Sequence, residues 1–191
     1  ADLDKDFGME KNHKSSVKGM LEYVLDKKTP YSFIDAGCGN GWVVRSVERN
    51  FLCKEAMGVD GSKKMVNKAK KLDPSGSYVC ADLMSWLPHK KVDIVHSMEV
   101  FYYLENPKKV IQQIFDLWLK KNGRLILGID FYFENKISHD WPDSCGISKM
   151  KLFSEKKWVS FFNTAGFHSI KAWRIGKLKD WAGTLVICGI K

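Results

Sequence analysis

The stretch from residue 35 to residue 41 is the part of the sequence whose residue types and spacing most clearly indicate chemistry. It lies between a hydrophobic run and a helical pattern and reads Asp35-Ala36-Gly37-Cys38-Gly39-Asn40-Gly41. Glycines allow the backbone to turn sharply and to approach a ligand closely. In a doubly wound sheet, such a turn lies at the carboxyl edge, where ligands bind. The stretch therefore predicts a ligand-binding turn between the first strand and the next helix.

Two phosphate-binding motifs match this turn poorly. The dinucleotide fingerprint G-x-G-x-x-G/A, begun at Gly37, places Trp42 at its sixth position. That large side chain would prevent the close packing of helix on strand that a third glycine permits. A Walker phosphate loop is excluded because no Gly-Lys-Ser/Thr is present. We therefore do not predict a phosphate group as the main ligand.

The pattern D-x-G-x-G-x-G instead resembles the first motif of the class I S-adenosylmethionine-dependent methyltransferases. The resemblance continues in order along the chain, with Asp60 at the end of the second predicted strand and Asp82 after the third. It implies that Asp60 accepts hydrogen bonds from both ribose hydroxyls of the cofactor, a role that suits an ionised carboxylate. It also implies that Asp82 and the backbone amide of Leu83 bind the adenine ring.

The same resemblance implies further contacts to the cofactor. Met65 lies one turn into the helix after Asp60, where an apolar contact with the adenine face is usual, although a core position is the alternative. The residues after the fourth predicted strand line the methyl-donor site in the family. The implied cofactor is S-adenosylmethionine, with S-adenosylhomocysteine as product. The implied binding set is Asp35, Gly37, Cys38, Gly39, Asn40, Gly41, Asp60, Gly61, Ser62, Met65, Asp82, Leu83, Met84, Ser97, Met98 and Glu99.

Helical and strand patterns alternate along the chain, which favours a mainly parallel sheet covered on both faces. Only residues 176–181 separate the last two predicted strands, too few for a crossover helix, so this pair is expected to be antiparallel. We predict an α/β, Rossmann-like, doubly wound seven-stranded sheet, mostly parallel with one antiparallel strand near the C-terminus. The predicted strands are Tyr31–Asp35, Ala56–Asp60, Tyr78–Ala81, Val92–Ser97, Arg124–Phe131, Ser169–Ile175 and Ala182–Ile190. The predicted helices cover Lys14–Lys28, Gly41–Asn50, a segment capped by Ser62, Pro107–Asn122 and a segment capped by Ser154.

The chain is predicted to form one methyltransferase domain over residues 1–191. Residues 1–30 would form an N-terminal helix or lid, residues 31–130 the cofactor-binding half, and residues 131–191 the substrate loop and closing strands. Tyr23, or Phe7 and His13, are candidates for a lid that closes over the ligand. A plain amphipathic surface helix is the alternative.

The acceptor is expected near the ends of the fourth and fifth predicted strands. The irregular stretch Tyr132–Phe153 follows the fifth strand, and irregular segments of this length in a compact domain are usually functional. Within it, His139 is the candidate catalytic base because an unperturbed histidine has a pKa of about 6.5. A merely solvated His139 is the alternative. Tyr102, after the fourth strand, is the second catalytic candidate.

Three residues are predicted to contact the acceptor: Tyr103, Asp130 and Trp141. Trp141 has two interpretations. It could stack on a flat or cationic acceptor, or it could pack the loop onto the domain. Tyr102 and Tyr103 are adjacent, so one of the two is expected to face the core.

Methyl transfer from a sulfonium is an in-line displacement that mainly requires positioning and exclusion of water. The fourth strand is not followed by the Asn/Asp-Pro-Pro-aromatic tetrad that marks methylation of amino groups on nucleic-acid bases. The two-glutamate loop of arginine methyltransferases is also not reproduced. Asp130 is followed by Phe131 rather than by the Asn of metal-dependent catechol enzymes, so no metal ligand is predicted. These absences favour a small-molecule acceptor.

The composition is that of a globular domain. Of the 191 residues, 45% are hydrophobic and 28% are charged, which excludes disordered and collagen-like chains. No apolar run approaches the roughly 20 residues of a membrane helix, and no signal peptide is visible, so no membrane partner is predicted. The 5 cysteines are odd in number and lack a C-x-x-C pair. This usage favours a reducing, cytoplasmic compartment.

The formal net charge of +9 favours acidic partners. Most lysines lie on predicted helix faces, where they are usually solvated. Four lie in the irregular loop and the last hairpin, where they could bind phosphate: Lys149, Lys151, Lys177 and Lys179. A nucleic-acid or protein acceptor is therefore one alternative function. A non-catalytic S-adenosylmethionine-binding module is another, although nothing in the Gly-rich turn, Asp60 or Asp82 departs from the motif.

Overall fold

The structure, a computed structural model, describes residues 3–144, 146 and 149–191. In these residues seven strands form one sheet. The strands are β1 (Tyr31–Ala36), β2 (Cys53–Asp60), β3 (Ser77–Cys80), β4 (Val92–Met98), β5 (Leu119–Ile129), β6 (His168–Ile175) and β7 (Thr184–Ile190). The α-helices are α1 (Leu3–Val24), α2 (Trp42–Glu48), α3 (Lys63–Leu72), α4 (Pro107–Gln113), α5 (Trp141–Ser144) and α6 (Glu155–Ala165). Cys145 and the side chain of the lid candidate Phe7 lie outside the described part of the chain.

The strands are ordered β3-β2-β1-β4-β5-β7-β6 across the sheet. All neighbours are parallel except β7, which is antiparallel to both β5 and β6. This arrangement confirms the predicted fold class. The chain order reverses direction between β1 and β4, and a crevice opens at the carboxyl ends of the strands at such a reversal. The Gly-rich turn follows β1 and therefore lies beside this crevice.

Alternate residues of the central strands face two separate hydrophobic clusters, because successive side chains of a strand point to opposite faces. Phe33, Ile94 and Ile126 pack with α1, α2 and α3 on one face. Ile34 and Val95 pack with α4 and α6 on the other face. A sheet covered on both faces holds its strand ends rigidly, and those ends carry the candidate site.

Local capping signals set several helix ends as the sequence predicts. The side chains of Ser62 and Ser154 accept hydrogen bonds from the third residue of α3 and α6, respectively. Pro107 occupies the first turn of α4, and Gly166 ends α6 with a positive φ of 101°. These helices are positioned by residues within one turn of their ends.

The predicted first helix, Lys14–Lys28, is wrong at both ends, because the observed helix begins and ends earlier in the chain. The structure places α1 at Leu3–Val24. Its C-terminal end is earlier than predicted because the Asp26 carboxylate accepts hydrogen bonds from the Lys28 amide and the Thr29 hydroxyl. This side-chain turn competes with helical hydrogen bonding.

The predicted boundary between the helix Pro107–Asn122 and the strand Arg124–Phe131 is wrong, because the observed strand begins earlier in the chain. A π-helical turn over Ile114–Trp118 ends the helix, and β5 begins at Leu119. The Asn122 amide donates to the Lys191 carbonyl oxygen, and Asn122 has a φ of 64°. Asn122 and Gly123 therefore form an irregularity inside β5 rather than a helix end, because pairing with the C-terminal residue stabilises the extended chain there.

None of the helices in the described residues is long and apolar enough to cross a membrane.

Ile126 lies at the centre of the sheet and is fully buried. Replacing it with alanine leaves a cavity in the hydrophobic cluster between the sheet and α1, so we expect Ile126→Ala to lower the free energy of unfolding by about 2–5 kcal/mol. Urea unfolding followed by circular dichroism measures this change. Ile137→Ala is the matched control, because Ile137 is 53% exposed and its loss should cost less than about 0.5 kcal/mol. Equal losses in the two variants would contradict the described core.

Candidate active site

The Gly-rich turn after β1 is held by backbone hydrogen bonds to the end of β2. The amides of Gly37 and Cys38 both donate to the Val59 carbonyl oxygen, at 2.7 and 3.1 Å. Gly37, Gly39 and Gly41 have φ angles of 85°, 53° and 77°. These left-handed conformations favour glycine. A Cβ atom on Gly37 would also lie only 2.2 Å from Cγ2 of Val100, so both space and conformation require glycine there.

Asp60, at the end of β2, joins this turn to the start of α3. Its Oδ2 accepts a hydrogen bond from the Gly39 amide and its Oδ1 accepts one from the Ser62 amide, each at 2.8 Å. A carboxylate has about four acceptor positions, so each oxygen can still accept a hydrogen bond from a ligand. Asp60 therefore shapes the glycine turn and presents acceptor atoms beside it. The sequence predicts only the second of these roles.

Two adjoining cavities lie along the carboxyl edge of the sheet and share Gly37 in their walls. The first, of about 500 Å³, is lined by His13, Asp35, Gly37, Cys38, Gly39, Asn40, Trp42, Val43, Met65, His96 and Met98. The second, of about 890 Å³, is lined by Gly37, Asp60, Gly61, Cys80, Ala81, Asp82, Leu83, Val100 and Leu104. We call the two together the cleft.

Most of the predicted cofactor-binding residues line the cleft, but some are held elsewhere. Gly41 packs closely on Tyr78, and Ser62 caps α3. The Met84 amide donates to Oδ1 of Asp82, and the Ser97 hydroxyl donates to the Ala36 carbonyl oxygen. Glu99 belongs to a separate group of carboxyl side chains described below. Within the described residues, these five predicted ones do not line the cleft: Gly41, Ser62, Met84, Ser97 and Glu99.

His96 lines the first cavity and is a residue that the sequence analysis missed. It pairs with Asp35 across β4 and β1, and its Nδ1 lies 2.7 Å from Oδ1 of Asp35. Its Nε2 is buried and has no hydrogen-bond partner in the described part of the chain. β4 also contains Asp93 and Ser97, so the polarity of His96 does not distinguish it in the sequence, and its unpaired Nε2 becomes apparent only in the structure. The free Nε2 is suited to a polar group of a ligand.

Glu99 follows β4 and is buried in a strained conformation. Its φ is 60°, which is rare for a residue other than glycine. Its Oε2 accepts a hydrogen bond from the Tyr102 hydroxyl at 2.7 Å, and its Oε1 accepts one from the Asp130 amide at 2.5 Å. Burial and the nearby Asp130 carboxyl raise the pKa of Glu99 well above its ordinary value. Glu99 lies beside Asp130 and outside the lining of the cleft, and its role as a cofactor-binding residue stays a prediction.

Asp130 follows β5 and is 3% exposed. Its Oδ2 lies 3.4 Å from Nδ1 of His13 on α1, whereas its buried Oδ1 has no hydrogen-bond partner among the described residues. Burial raises the pKa of Asp130, although the neighbouring Thr184 hydroxyl and His13 act in the opposite direction. Burial lowers the pKa of His13, and the Asp130 carboxylate opposes this change. His13 is the predicted lid residue that the structure brings to the cleft. Tyr23 instead packs on Trp173 of β6.

Tyr102 is buried and Tyr103 is 41% exposed, as the adjacency of the two residues predicts. Their ring centroids are 4.3 Å apart. Burial raises the pKa of Tyr102 beyond the physiological range, so its hydroxyl stays protonated and donates to Glu99. Tyr102 therefore positions Glu99 and is unsuited to act as a base.

Two loop residues were predicted to act on the acceptor, Trp141 and His139, and the structure packs the first onto the domain and leaves the second exposed. Trp141 lies between Phe131 and Trp181, with ring centroids 6.5 and 6.3 Å away, so it packs the loop onto the domain. His139 is exposed, and its Nε2 lies 3.0 Å from the Phe133 carbonyl oxygen. The structure does not bring His139 to the cleft, because its ring is directed to the loop's own backbone. Its role as a base stays a prediction.

Known proteins are similar to this chain over the region that contains the glycine turn, Asp60 and Asp82. A family model described as "Methyltransferase domain" matches residues 34–127. A malonyl-[acyl-carrier protein] O-methyltransferase of Halalkalibacterium halodurans is 30% identical over 56% of this chain and 43% of its own length. A trans-aconitate 2-methyltransferase of Rhizobium rhizogenes is 31% identical over 49% of this chain and 36% of its own length. The chain thus spans less than half the length of these curated relatives.

A solved structure extends the similarity to almost the whole chain. It is a chain from the complex of the Haloferax volcanii Trm112 methyltransferase activator with a candidate methyltransferase. The two chains are 25% identical with a TM-score of 0.85, and the match covers 98% of this chain and 94% of that one.

The chain belongs to the class I S-adenosylmethionine-dependent methyltransferases. In this methyltransferase the family match includes the Gly-rich turn, Asp60 and Asp82 but ends before Asp130. Asp130 and the loop that follows it lie outside the matched region, whereas Glu99 and Tyr102 lie inside it. Among the described residues, no group of three or more His, Cys, Asp or Glu side chains is arranged to hold a metal ion.

Gly37→Ala should abolish cofactor binding by this methyltransferase, because the new Cβ would collide with Val100 and the φ of 85° disfavours alanine. We expect affinity for S-adenosylhomocysteine, measured by calorimetry, to fall at least about tenfold, or about 1.4 kcal/mol. Gly176→Ala is the matched control, since Gly176 also has a positive φ but no atom within 4 Å of an added Cβ. Unchanged affinity in Gly37→Ala would show that the turn does not contact the ligand.

Glu99→Gln should change how stability depends on pH. Because the pKa of Glu99 is higher in the folded protein than in the unfolded chain, its ionisation costs folding free energy. This cost is absent below the ordinary pKa of 4.5 and develops as pH rises through the folded value. Relative to the unmodified protein, Glu99→Gln should therefore gain stability between about pH 5 and about pH 8 in urea unfolding.

The control for this measurement is Glu105→Gln, which removes an exposed carboxyl group close in sequence. It should leave the difference from the unmodified protein nearly constant over the same pH range. Parallel pH profiles for Glu99→Gln and the unmodified protein would show that Glu99 is not a buried, destabilised carboxylate.

Proposed function

We propose that this methyltransferase binds S-adenosylmethionine in the cleft and transfers its methyl group, without a metal ion, to a small-molecule acceptor beside Glu99 and Asp130. The observation that carries the proposal is the coupling of the glycine turn to Asp60 through the Gly39 amide. Two left-handed glycines, Gly37 and Gly39, and the Asp60 carboxylate with its free acceptor positions line the same cleft. We infer from this arrangement a site for a nucleoside with an extended polar tail.

The residues present fit this cofactor. Asp60 would accept from the ribose hydroxyls, and Asp82 with the Leu83 amide would bind the adenine ring. The methionine part would occupy the first cavity, where the unpartnered Nε2 of His96 offers a polar contact. When bound, S-adenosylmethionine supplies a methyl group that is already activated on a sulfonium.

The protein's own part in the reaction is positioning and exclusion of water. His13 of α1 closes the first cavity from the side opposite the sheet and contacts Asp130. Met98 lines the same cavity and precedes Glu99, so the cavity continues towards the buried carboxyl groups. Holding an acceptor at this end would convert a bimolecular step into an effectively unimolecular one.

A small-molecule acceptor is supported by the burial of this end of the site. Glu99, Tyr102 and Asp130 are all less than about a tenth exposed, which suits a ligand enclosed by side chains better than a polymer laid across a surface. The curated relatives are named for malonyl-[acyl-carrier protein] and trans-aconitate, so enzymes of this family act on small acids and their carrier-bound forms. The exposed lysines of the loop and last hairpin leave RNA as an outcome for the test.

We further propose that the chain works with a small activator protein. This second proposal rests on the solved complex with the Trm112 activator, whose matched chain is similar over nearly its full length. The binding experiment is therefore carried out with and without the Trm112-type protein of the same organism. A tighter cofactor affinity in its presence would support the partnership, and no complex by size-exclusion chromatography would refute it.

Asp60→Ala provides the direct test of the proposed function. Removing the carboxylate deletes the ribose acceptor and frees the Gly39 amide, so affinity for S-adenosylhomocysteine should fall at least about tenfold. Titration calorimetry measures it, with Asp116→Ala as the control because Asp116 is exposed and remote from the cleft. If neither S-adenosylmethionine nor S-adenosylhomocysteine binds, alone or with the activator, the proposed function is wrong.

A further inference from the structure

Two buried carboxyl groups stand side by side next to residues that line the cleft: His13 contacts Asp130, and Met98 directly precedes Glu99. Glu99 is the residue after β4 and Asp130 is the residue after β5, and these two strands are neighbours in the sheet. The Asp130 amide donates directly to the Glu99 carboxylate, so the two side chains share one small region. We call them the carboxyl pair. Two adjacent acidic groups in a low-dielectric environment repel each other and favour a nearby cation.

The carboxyl pair is incompletely neutralised by the protein. His13 is its only basic contact in the described part of the chain, and it lies 3.4 Å from Oδ2 of Asp130. The Thr184 hydroxyl lies near this carboxyl group and is paired with the Ser16 hydroxyl, and the other carboxylate oxygen, Oδ1, is buried without a hydrogen-bond partner among the described residues. A buried carboxylate oxygen without a donor costs free energy, and a ligand that brings N–H groups would remove that cost.

No lysine or arginine side chain lines either part of the cleft in the residues that the structure describes. A carboxylate acceptor would therefore meet two acidic groups and no lysine or arginine. This electrostatic environment is the reverse of what a carboxylate acceptor such as trans-aconitate needs. The family match ends at residue 127, so it includes Glu99 but not Asp130.

Aromatic rings extend outward from the carboxyl pair. Tyr102 contacts both Tyr103 and Phe131, with ring centroids 4.3 and 5.5 Å apart. Tyr103 is 41% exposed and carries this aromatic group to the surface. The faces of such rings attract organic cations, and the attraction adds to that of nearby carboxylates.

We infer, on the basis of the proposed function, that the acceptor is an amine, cationic in solution, which the carboxyl pair binds and which is methylated on nitrogen. The N–H groups of the amine would pair with Oδ1 of Asp130, and Glu99, held by Tyr102, would face the same nitrogen. Two observations support this inference. The carboxyl pair has an unpaired buried oxygen and one basic contact, His13, among the described residues, and no lysine or arginine of those residues lines the cleft.

The proton and electron balance of the step is simple. The bound ammonium group first gives one proton to Oδ1 of Asp130, which leaves a nitrogen lone pair. That lone pair forms the new N–C bond to the methyl carbon while the C–S bond breaks, and the bonding electron pair stays on sulfur. The methylated amine leaves as an ammonium cation, S-adenosylhomocysteine is the other product, and the proton on Asp130 passes to solvent. Burial, by raising the pKa of Asp130, favours its acceptance of the proton.

The test compares matched pairs of amines and carboxylates on protein saturated with S-adenosylhomocysteine. The probes are 2-phenylethylamine with 3-phenylpropionate, butylamine with pentanoate, and histamine with imidazolepropionate, each at millimolar concentration. Thermal shift and calorimetry report binding, and mass spectrometry reports methylation when S-adenosylmethionine replaces the product. We expect at least one amine to bind about tenfold more tightly than its carboxylate partner and to gain one methyl group on nitrogen.

Asp130→Asn should weaken binding of that amine at least about tenfold, because it removes a charge-assisted hydrogen bond while keeping the size of the side chain. Asp140→Asn, an exposed change of the same kind on the loop, should leave amine affinity unchanged. The inference is overturned if no amine binds better than its carboxylate partner, or if Asp130→Asn binds the amine as tightly as the unmodified protein. Because the protein is first shown to bind S-adenosylhomocysteine, such a result would leave the proposed function standing, whereas failure of that first step would refute the proposed function itself.

Discussion

The pair of hydrogen bonds that Asp60 accepts from Gly39 and Ser62 holds together the segments on which the site depends. They connect the turn after β1, the end of β2 and the start of α3. Backbone hydrogen bonds to Val59 also hold the turn against β2, and Asp60 links both segments to the start of α3. The same carboxylate keeps acceptor positions free on the cleft side. Structure and ligand recognition therefore share one side chain, and the loss of Asp60 would disturb both.

The region around Glu99 and Asp130 depends on a different balance, in which buried charge and backbone strain cost stability. Glu99 adopts a left-handed conformation and, with Asp130, keeps carboxyl groups out of water. Strained backbone of this kind costs of order 1–3 kcal/mol and persists where the surroundings hold it in place. Here β4 and β5 do so, because both strands lie inside a sheet covered by hydrophobic clusters on its two faces. A free energy cost concentrated at one end of a cavity is typical of a site adapted to a ligand.

Much of the architecture could be predicted from the sequence, and the failures have specific causes. Alternation of strands and helices predicted the sheet, and the short connection before β7 predicted its antiparallel pairing. The end of α4 was misjudged because Asn122-Gly123 is a typical helix stop, whereas here it pairs with Lys191, which is distant in sequence. His96 was overlooked because its partner, Asp35, lies on the neighbouring strand β1 and is distant in sequence. His139 was favoured on its chemistry alone, and the structure directs its ring to the loop backbone.

The sequence by itself determined the features that arise from interactions between residues close along the chain. These are the left-handed glycine turn, the serine caps of α3 and α6, and the placement of Asp60 and Asp82 after their strands. The tertiary structure alone decided which distant side chains meet: His96 with Asp35, Glu99 with Asp130, and His13 with Asp130. Turns and caps depend on backbone conformations that single residue types prefer. The pairing of buried polar groups depends instead on strand register and on the packing of α1 over the sheet, which no short stretch of sequence contains.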